Sequence, residues 1–120
     1  MKKQGVKDNE GPKFINYDFD KDTKAQFREW ADDNREALGD LIDKVCDSGY
    51  GISCKPDKFT GGFASFMQPV DTKSPNLGWV LSGRASGPVN AMLSVLYRHL
   101  VVFQGDWPRD DIRRAGFDDE

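Results

Sequence analysis

The chain is poor in the residues that most often carry catalysis or hold metal. Its 120 residues include one histidine, His99, and two cysteines, Cys46 and Cys54, which stand far from it. No zinc-ligand spacing can be written from such a set. The cysteines read as two buried, reduced thiols, and the sequence leaves a disulfide between them open. No serine or cysteine sits in a nucleophile motif, and a histidine base needs an oriented partner that the sequence does not name. His99 therefore reads as structural and the chain as a non-enzyme, with no cofactor expected. Nor is there an apolar run approaching the roughly 20 residues of a membrane helix, or a charged-then-apolar leader. The expectation is a cytoplasmic protein without a membrane partner.

What is present is unevenly charged. The net charge of -3 divides into blocks. Residues 1–13 carry four lysines against Asp8 and Glu10, and residues 14–49 carry ten acids against five bases. Residues 50–104 reverse the sign, with Lys55, Lys58, Lys73, Arg84 and Arg98 against Asp57 and Asp71. From Gly105 onward six acids face Arg109, Arg113 and Arg114. An acidic chain is a poor general binder of nucleic acid, but sign asymmetry of this kind is informative in itself. It predicts a flexible basic arm over 1–13, one folded domain over 14–105, and an acidic tail over 106–120.

Periodicity fills in that domain. Residues 14–19 alternate weakly and could add a short strand. A first helix opens at Thr23, where Thr23 and Gln26 have capping-box spacing. Phe27, Trp30, Ala31, Leu38, Leu41, Ile42 and Val45 continue it as one apolar stripe, with a kink allowed at Gly39. Proline, aspartate and glycine then punctuate three alternating segments, 50–55, 59–68 and 77–82, read as strands. A second helix runs from Pro88 to Gln104, with Val89, Met92, Leu93, Leu96, Leu100 and Phe103 inward and Asn90, Ser94 and Arg98 outward. The fold class is α+β, in the order α-β-β-β-α: a three-stranded antiparallel sheet with both helices on one face. Homo-oligomerisation is left open.

Three stretches carry candidate chemistry. Gly83-Arg-Ala-Ser-Gly-Pro88 reads as a glycine-rich turn into a helix start, able to hold an anion, with Ser86 as its cap and Arg84 beside it. It lacks the Gly-Lys-Ser/Thr ending of a nucleotide-binding P-loop. Asp18, Asp20, Asp22 and Glu29 have the spacing of a calcium loop, but Thr23 replaces its required glycine; acids before a helix start are favoured by the helix dipole in any case, and no metal is expected. Finally, aromatics interleave with bases through the middle of the chain, as single-strand binders require. Alternation puts Phe66 and Gln68 of the second strand on one face with Ser82 and Arg84 of the third. The opposite face takes Met67, Trp79 and Leu81. The more polar set is expected to stay open, with Phe66 as the best stacking residue and Trp79 in the core.

Phe63-x-x-Phe66, Asn76-Leu-Gly78, Gly83-Arg-Ala-Ser86, Leu96-Tyr-Arg-His99 and Gly105-Asp-Trp107 together resemble a set of short bacteriophage proteins. Some of these are replication-associated single-stranded-DNA-binding proteins. The resemblance spans roughly residues 59–107 and implies a phage-encoded protein acting in DNA replication or recombination in the host cytoplasm. The element order is also similar to that of the double-stranded-RNA-binding domain. Here, however, Ser86-Gly-Pro-Val-Asn90 stands where that family carries lysines. The acidic end is similar to the partner-docking tails of single-stranded-DNA-binding proteins, although Asp118-Asp-Glu120 follows Phe117. Single-stranded DNA is thus the expected ligand, with Lys55, Lys58, Lys73, Arg84, Ser86 and Arg98 on phosphates and Phe66 with Tyr50 or Phe59 on bases. Replication proteins are expected to dock on Trp107 to Glu120. The alternative is a protein-interaction module, such as a phage factor that binds a host protein.

Overall fold

The computed structural model describes residues 13–15, 21–59 and 61–107. The expected order of a helix, three antiparallel strands and a helix is present. The strands are β2 (Tyr50–Pro56), β3 (Phe63–Pro69) and β4 (Trp79–Ala85). A short strand, β1 (Lys13–Ile15), adds to the edge of β4 in parallel and makes the sheet four-stranded, in the order β1-β4-β3-β2. No helix among the described residues is long and apolar enough to cross a membrane.

The first helical segment is divided. α1 (Lys21–Asn34) and α2 (Leu38–Asp47) are separated by a single 3-10 turn, Arg35–Ala37. The break precedes Gly39, where a kink was expected. It has a visible cause: Asn34 turns its side-chain amide onto the Trp30 carbonyl at 2.8 Å, which satisfies a carbonyl at the end of α1. α1 starts at Lys21, so Thr23 lies inside the helix and not at its cap.

Register decides which sheet face is covered. Met67 lies opposite Ile52 on β2 and Leu81 on β4, and Leu81 in turn lies opposite Ile15 on β1. Residues opposite one another share a face, so this row forms the floor of the core, with Trp79, Val45, Val95 and Leu96 packed on it. α3 (Pro88–Tyr97) crosses that floor. Its closest approach is at Gly83, where an added Cβ would stand 2.7 Å from the Val95 nitrogen and 3.0 Å from the Ser94 side chain.

This contact corrects two expectations. Ser94, expected on the outer face of α3, is buried against Gly83, and Val89, expected inside, is 39% exposed. α3 lies between the sheet and α1, whose Phe27 and Trp30 rings meet Tyr97 edge-on at 5.5 and 5.3 Å between centroids. A helix covered on two sides has no single apolar stripe to read. Gly83→Ala is expected to cost about 1–3 kcal/mol, the usual range for overpacking. Urea unfolding would show it as a lower midpoint at unchanged slope, whereas an unchanged midpoint would mean that α3 does not sit this close.

Beyond Tyr97 the helix widens into a π-helical turn, Arg98–Val102, closed by the Phe103 N–H on the Arg98 carbonyl at 2.9 Å. It carries the chain through Gln104 and Gly105, both at positive φ, to Trp107, which is only 3% exposed. The fold therefore extends to Trp107, past the boundary expected at residue 105. The arm over 1–12 and the tail over 108–120 lie outside the described residues.

Candidate functional site

The sheet face that carries Phe66 and Gln68 lies away from the helices and is only partly open, since Val80 and Ser82 on it are buried. Gly51, Ser53 and Lys55 of β2, Phe66 and Gln68 of β3 and Val80 of β4 line a shallow groove of about 390 Å³ on it. Lys55 holds its ammonium 5.2 Å from the centre of the Phe66 ring. Such a cation–π contact contributes about 0.5–1 kcal/mol at an exposed site and sets a positive charge over the one aromatic among the groove's described lining residues.

One row further along, Ala64 pairs with Arg84 across β3 and β4. Gly83 and Arg84 thus belong to β4, and the turn into α3 is only Ser86 and Gly87. Arg84 donates from Nε to Asp57 Oδ2 at 3.1 Å. Asp57 is buried and organises the β2–β3 hairpin. Its other oxygen accepts the Phe59 N–H at 3.1 Å, its carbonyl accepts the Gly61 N–H at 3.0 Å, and its own N–H donates to the Gly62 carbonyl at 2.8 Å. At the tip of this turn Lys58 is exposed and Phe59 is 95% exposed. Arg84, expected as a plain phosphate contact, is therefore also an anchor of the hairpin that presents Phe59.

The remaining expected residues scatter. Lys73 is exposed in the β3–β4 loop, at the end of the sheet opposite the hairpin. Ser86 is exposed but caps nothing, because Gly87 holds the N-cap position without a side-chain bond. Arg98 lies on the helical side and donates to the Ser82 carbonyl of β4. Ser82, expected on the open face, is buried.

Tyr50 is corrected most clearly. It sits on the covered face with Ile52, its ring 4.5 Å from His99 and 5.5 Å from Trp107 between centroids. Its hydroxyl accepts from Asn76 Nδ2 at 3.2 Å, and the same amide donates to the Gly105 carbonyl at 3.3 Å. Trp107 donates its indole N–H to His99 Nδ1 at 3.1 Å. Both aromatics are structural: Tyr50 is no stacking platform, and Trp107 is not a tail residue open to partners. Burial in this cluster lowers the His99 pKa from 6.5 to about 4.

Neither cysteine is fully buried, contrary to expectation. Cys46 is exposed, and Cys54 is half-buried with its thiol on the Pro88 carbonyl at 3.8 Å. Burial pushes the Cys54 pKa up, so the thiol form, a weak nucleophile, is favoured. Among the described residues no three histidine, cysteine or acidic side chains gather as a metal site. Asp18 and Asp20 of the calcium-like spacing lie outside the described residues, and Glu29 is exposed on α1.

One cluster of bases was not anticipated. Lys24, Arg28 and Arg35 line a second cleft, of about 420 Å³, between α1 and the β4–α3 junction. Counting acids against bases over 14–49 hid them, but their spacing did not. Positions four and eleven residues beyond Lys24 return to the same side of a helix, whereas Glu29, Asp33 and Glu36 share another. Neither a known protein family, nor a curated protein, nor a solved structure matches the chain.

Proposed function

We propose that the chain is a non-enzymatic single-stranded-DNA-binding protein that takes the strand on its open sheet face. The observation that carries this reading is the Lys55 ammonium poised over Phe66 within a shallow groove on the sheet face away from the helices. A base stacked on Phe66 gains about 1–3 kcal/mol, and the displaced ammonium meets the adjoining phosphate. Ser53 and Gln68 offer hydrogen bonds to a base edge that any of the four bases can use. Lys58, Phe59 and Arg84 continue the basic and aromatic character toward the hairpin tip. Weak sequence preference follows, because stacking reads a π face and not a base identity.

The test is a titration of labelled oligo-dT by fluorescence anisotropy. Binding should weaken with salt, with log K falling by about 0.7 per decade of salt for each phosphate neutralised. Phe66→Leu keeps apolar volume but removes the ring, and should weaken binding about 5- to 150-fold, the equivalent of 1–3 kcal/mol. No binding, salt-independent binding, or equal binding by Phe66→Leu would each refute the proposal. Capture of a protein partner by a chain that ignores oligonucleotide would favour the protein-interaction alternative.

A further inference from the structure

We infer that the cleft between α1 and the β4–α3 junction is a second phosphate-binding site, which holds the backbone of the same strand after it leaves the sheet face. The inference rests on the single-strand reading above and adds to it a site and a path. Three observations support it.

The first is the chemistry of the wall. Lys24 and Arg28 are exposed at the cleft, and no carboxylate among the described residues pairs with either. Arg35 closes one end, donating from Nη1 to Asn90 Oδ1 at 2.6 Å and from Nη2 to Asp32 Oδ1 at 3.3 Å. Asp32 is the one acid among the described lining residues, and Arg35 neutralises it. Among the described residues this leaves two cations without a carboxylate partner, on a helix whose Glu29 and Asp33 lie on another side by helical spacing.

The second is the floor. Phe27, Ala31 and Ala85 line the cleft below these charges. A cationic rim above an apolar base suits a phosphodiester, whose charge sits at the rim while its sugar rests on the floor. A compact inorganic anion has no use for that floor.

The third is continuity. Ala85 ends β4 directly after Arg84, and lies opposite Phe63 where the hairpin joins β3. Arg84 and Ala85 point to opposite faces of β4, so a strand that passes Arg84 reaches the cleft by turning around this end of the sheet. The molecule thus offers one route from the Phe66 groove, past the hairpin, to α1.

The experiment compares two lengths of oligo-dT, of about 5 and about 20 nucleotides, spanning the roughly 4–16 that small single-strand-binding folds cover. The double variant Lys24→Gln, Arg28→Gln changes exposed residues only. On the long oligonucleotide its slope of log K against log salt should be shallower by about 1.4, two contacts at about 0.7 each. On the short one, which the groove alone can hold, the slope should not change. Lys44→Gln, an exposed charge on α2, controls for net charge and should leave both slopes as they are. If the double variant alters neither slope while Phe66→Leu still weakens binding, the cleft is refuted and the sheet-face reading stands. Equal changes at both lengths, or the same change in Lys44→Gln, also refute the cleft. Failure of the native chain to bind either oligonucleotide refutes both. Competition by inorganic phosphate or thymidine monophosphate at concentrations that leave Phe66-dependent binding of the short oligonucleotide intact would point to a free-phosphate pocket and overturn the shared path.

Discussion

Trp107→Ala should remove about 3–5 kcal/mol of stability, the range for deleting a large aromatic from a core. The residue lies at the end of the fold, and by composition alone it belongs to a polar tail. Its surroundings say otherwise. The ring is 3% exposed, packs 5.5 Å from Tyr50, and donates its N–H to His99 Nδ1 at 3.1 Å. The substitution leaves a cavity and also strips a buried acceptor of its donor, and the second loss adds to the first. Against a total of about 5–15 kcal/mol for a domain of this class, that is a large share, and urea unfolding would show it as a much earlier midpoint. Trp107→Phe separates the two contributions, since it restores most of the volume but not the N–H. If Trp107→Ala unfolds at the native midpoint, the fold ends before residue 107 and the tail does begin at Asp106.

The elements that sequence reveals here are those with local causes. Pro56, Pro69 and the Ser74-Pro75-Asn76 turn punctuate the three strands, and alternation of period two separates Phe66, Gln68 and Arg84 from Met67, Trp79 and Leu81. Both signals operate within a few residues, and the division of side chains between the two sheet faces follows from them. The features that escape depend on distant partners. β1 is three residues long and pairs with a strand more than sixty residues away, so the weak alternation over 14–19 suggests a short strand but gives neither its bounds nor its partner. Arg84 looks available until the fold brings Asp57 to its Nε. Ser94 looks like a surface residue until Gly83 supplies the space that buries it. The basic side of α1 escapes for a different reason: a charge count over a segment averages across helix faces, whereas a count at helical spacing would have separated them.

Acid should destabilise the protein through His99, by about 3 kcal/mol once the pH has fallen to 4. His99 is 4% exposed and its Nδ1 accepts the Trp107 N–H, which requires the neutral ring with the proton on Nε2. Burial lowers its folded pKa to about 4 from the ordinary 6.5. Above pH 6.5 the ring is neutral in both states and the pKa difference contributes nothing. Between 6.5 and 4 the unfolded chain takes up a proton that the folded chain refuses, and stability falls steadily. Below 4 both forms are protonated and the loss levels off. Each pKa unit corresponds to about 1.4 kcal/mol, which sets the size of the effect. His99→Asn can keep an acceptor near Nδ1 without titrating. It should start less stable at neutral pH, because its smaller side chain packs less well against Tyr50, yet lose less stability between pH 6.5 and 4 than the native chain does. Carboxylates titrate alike in both proteins, so the difference between the two urea-midpoint profiles isolates the histidine. Parallel profiles would mean that His99 does not sit neutral in the core, and would remove the acceptor on which the Trp107 hydrogen bond depends.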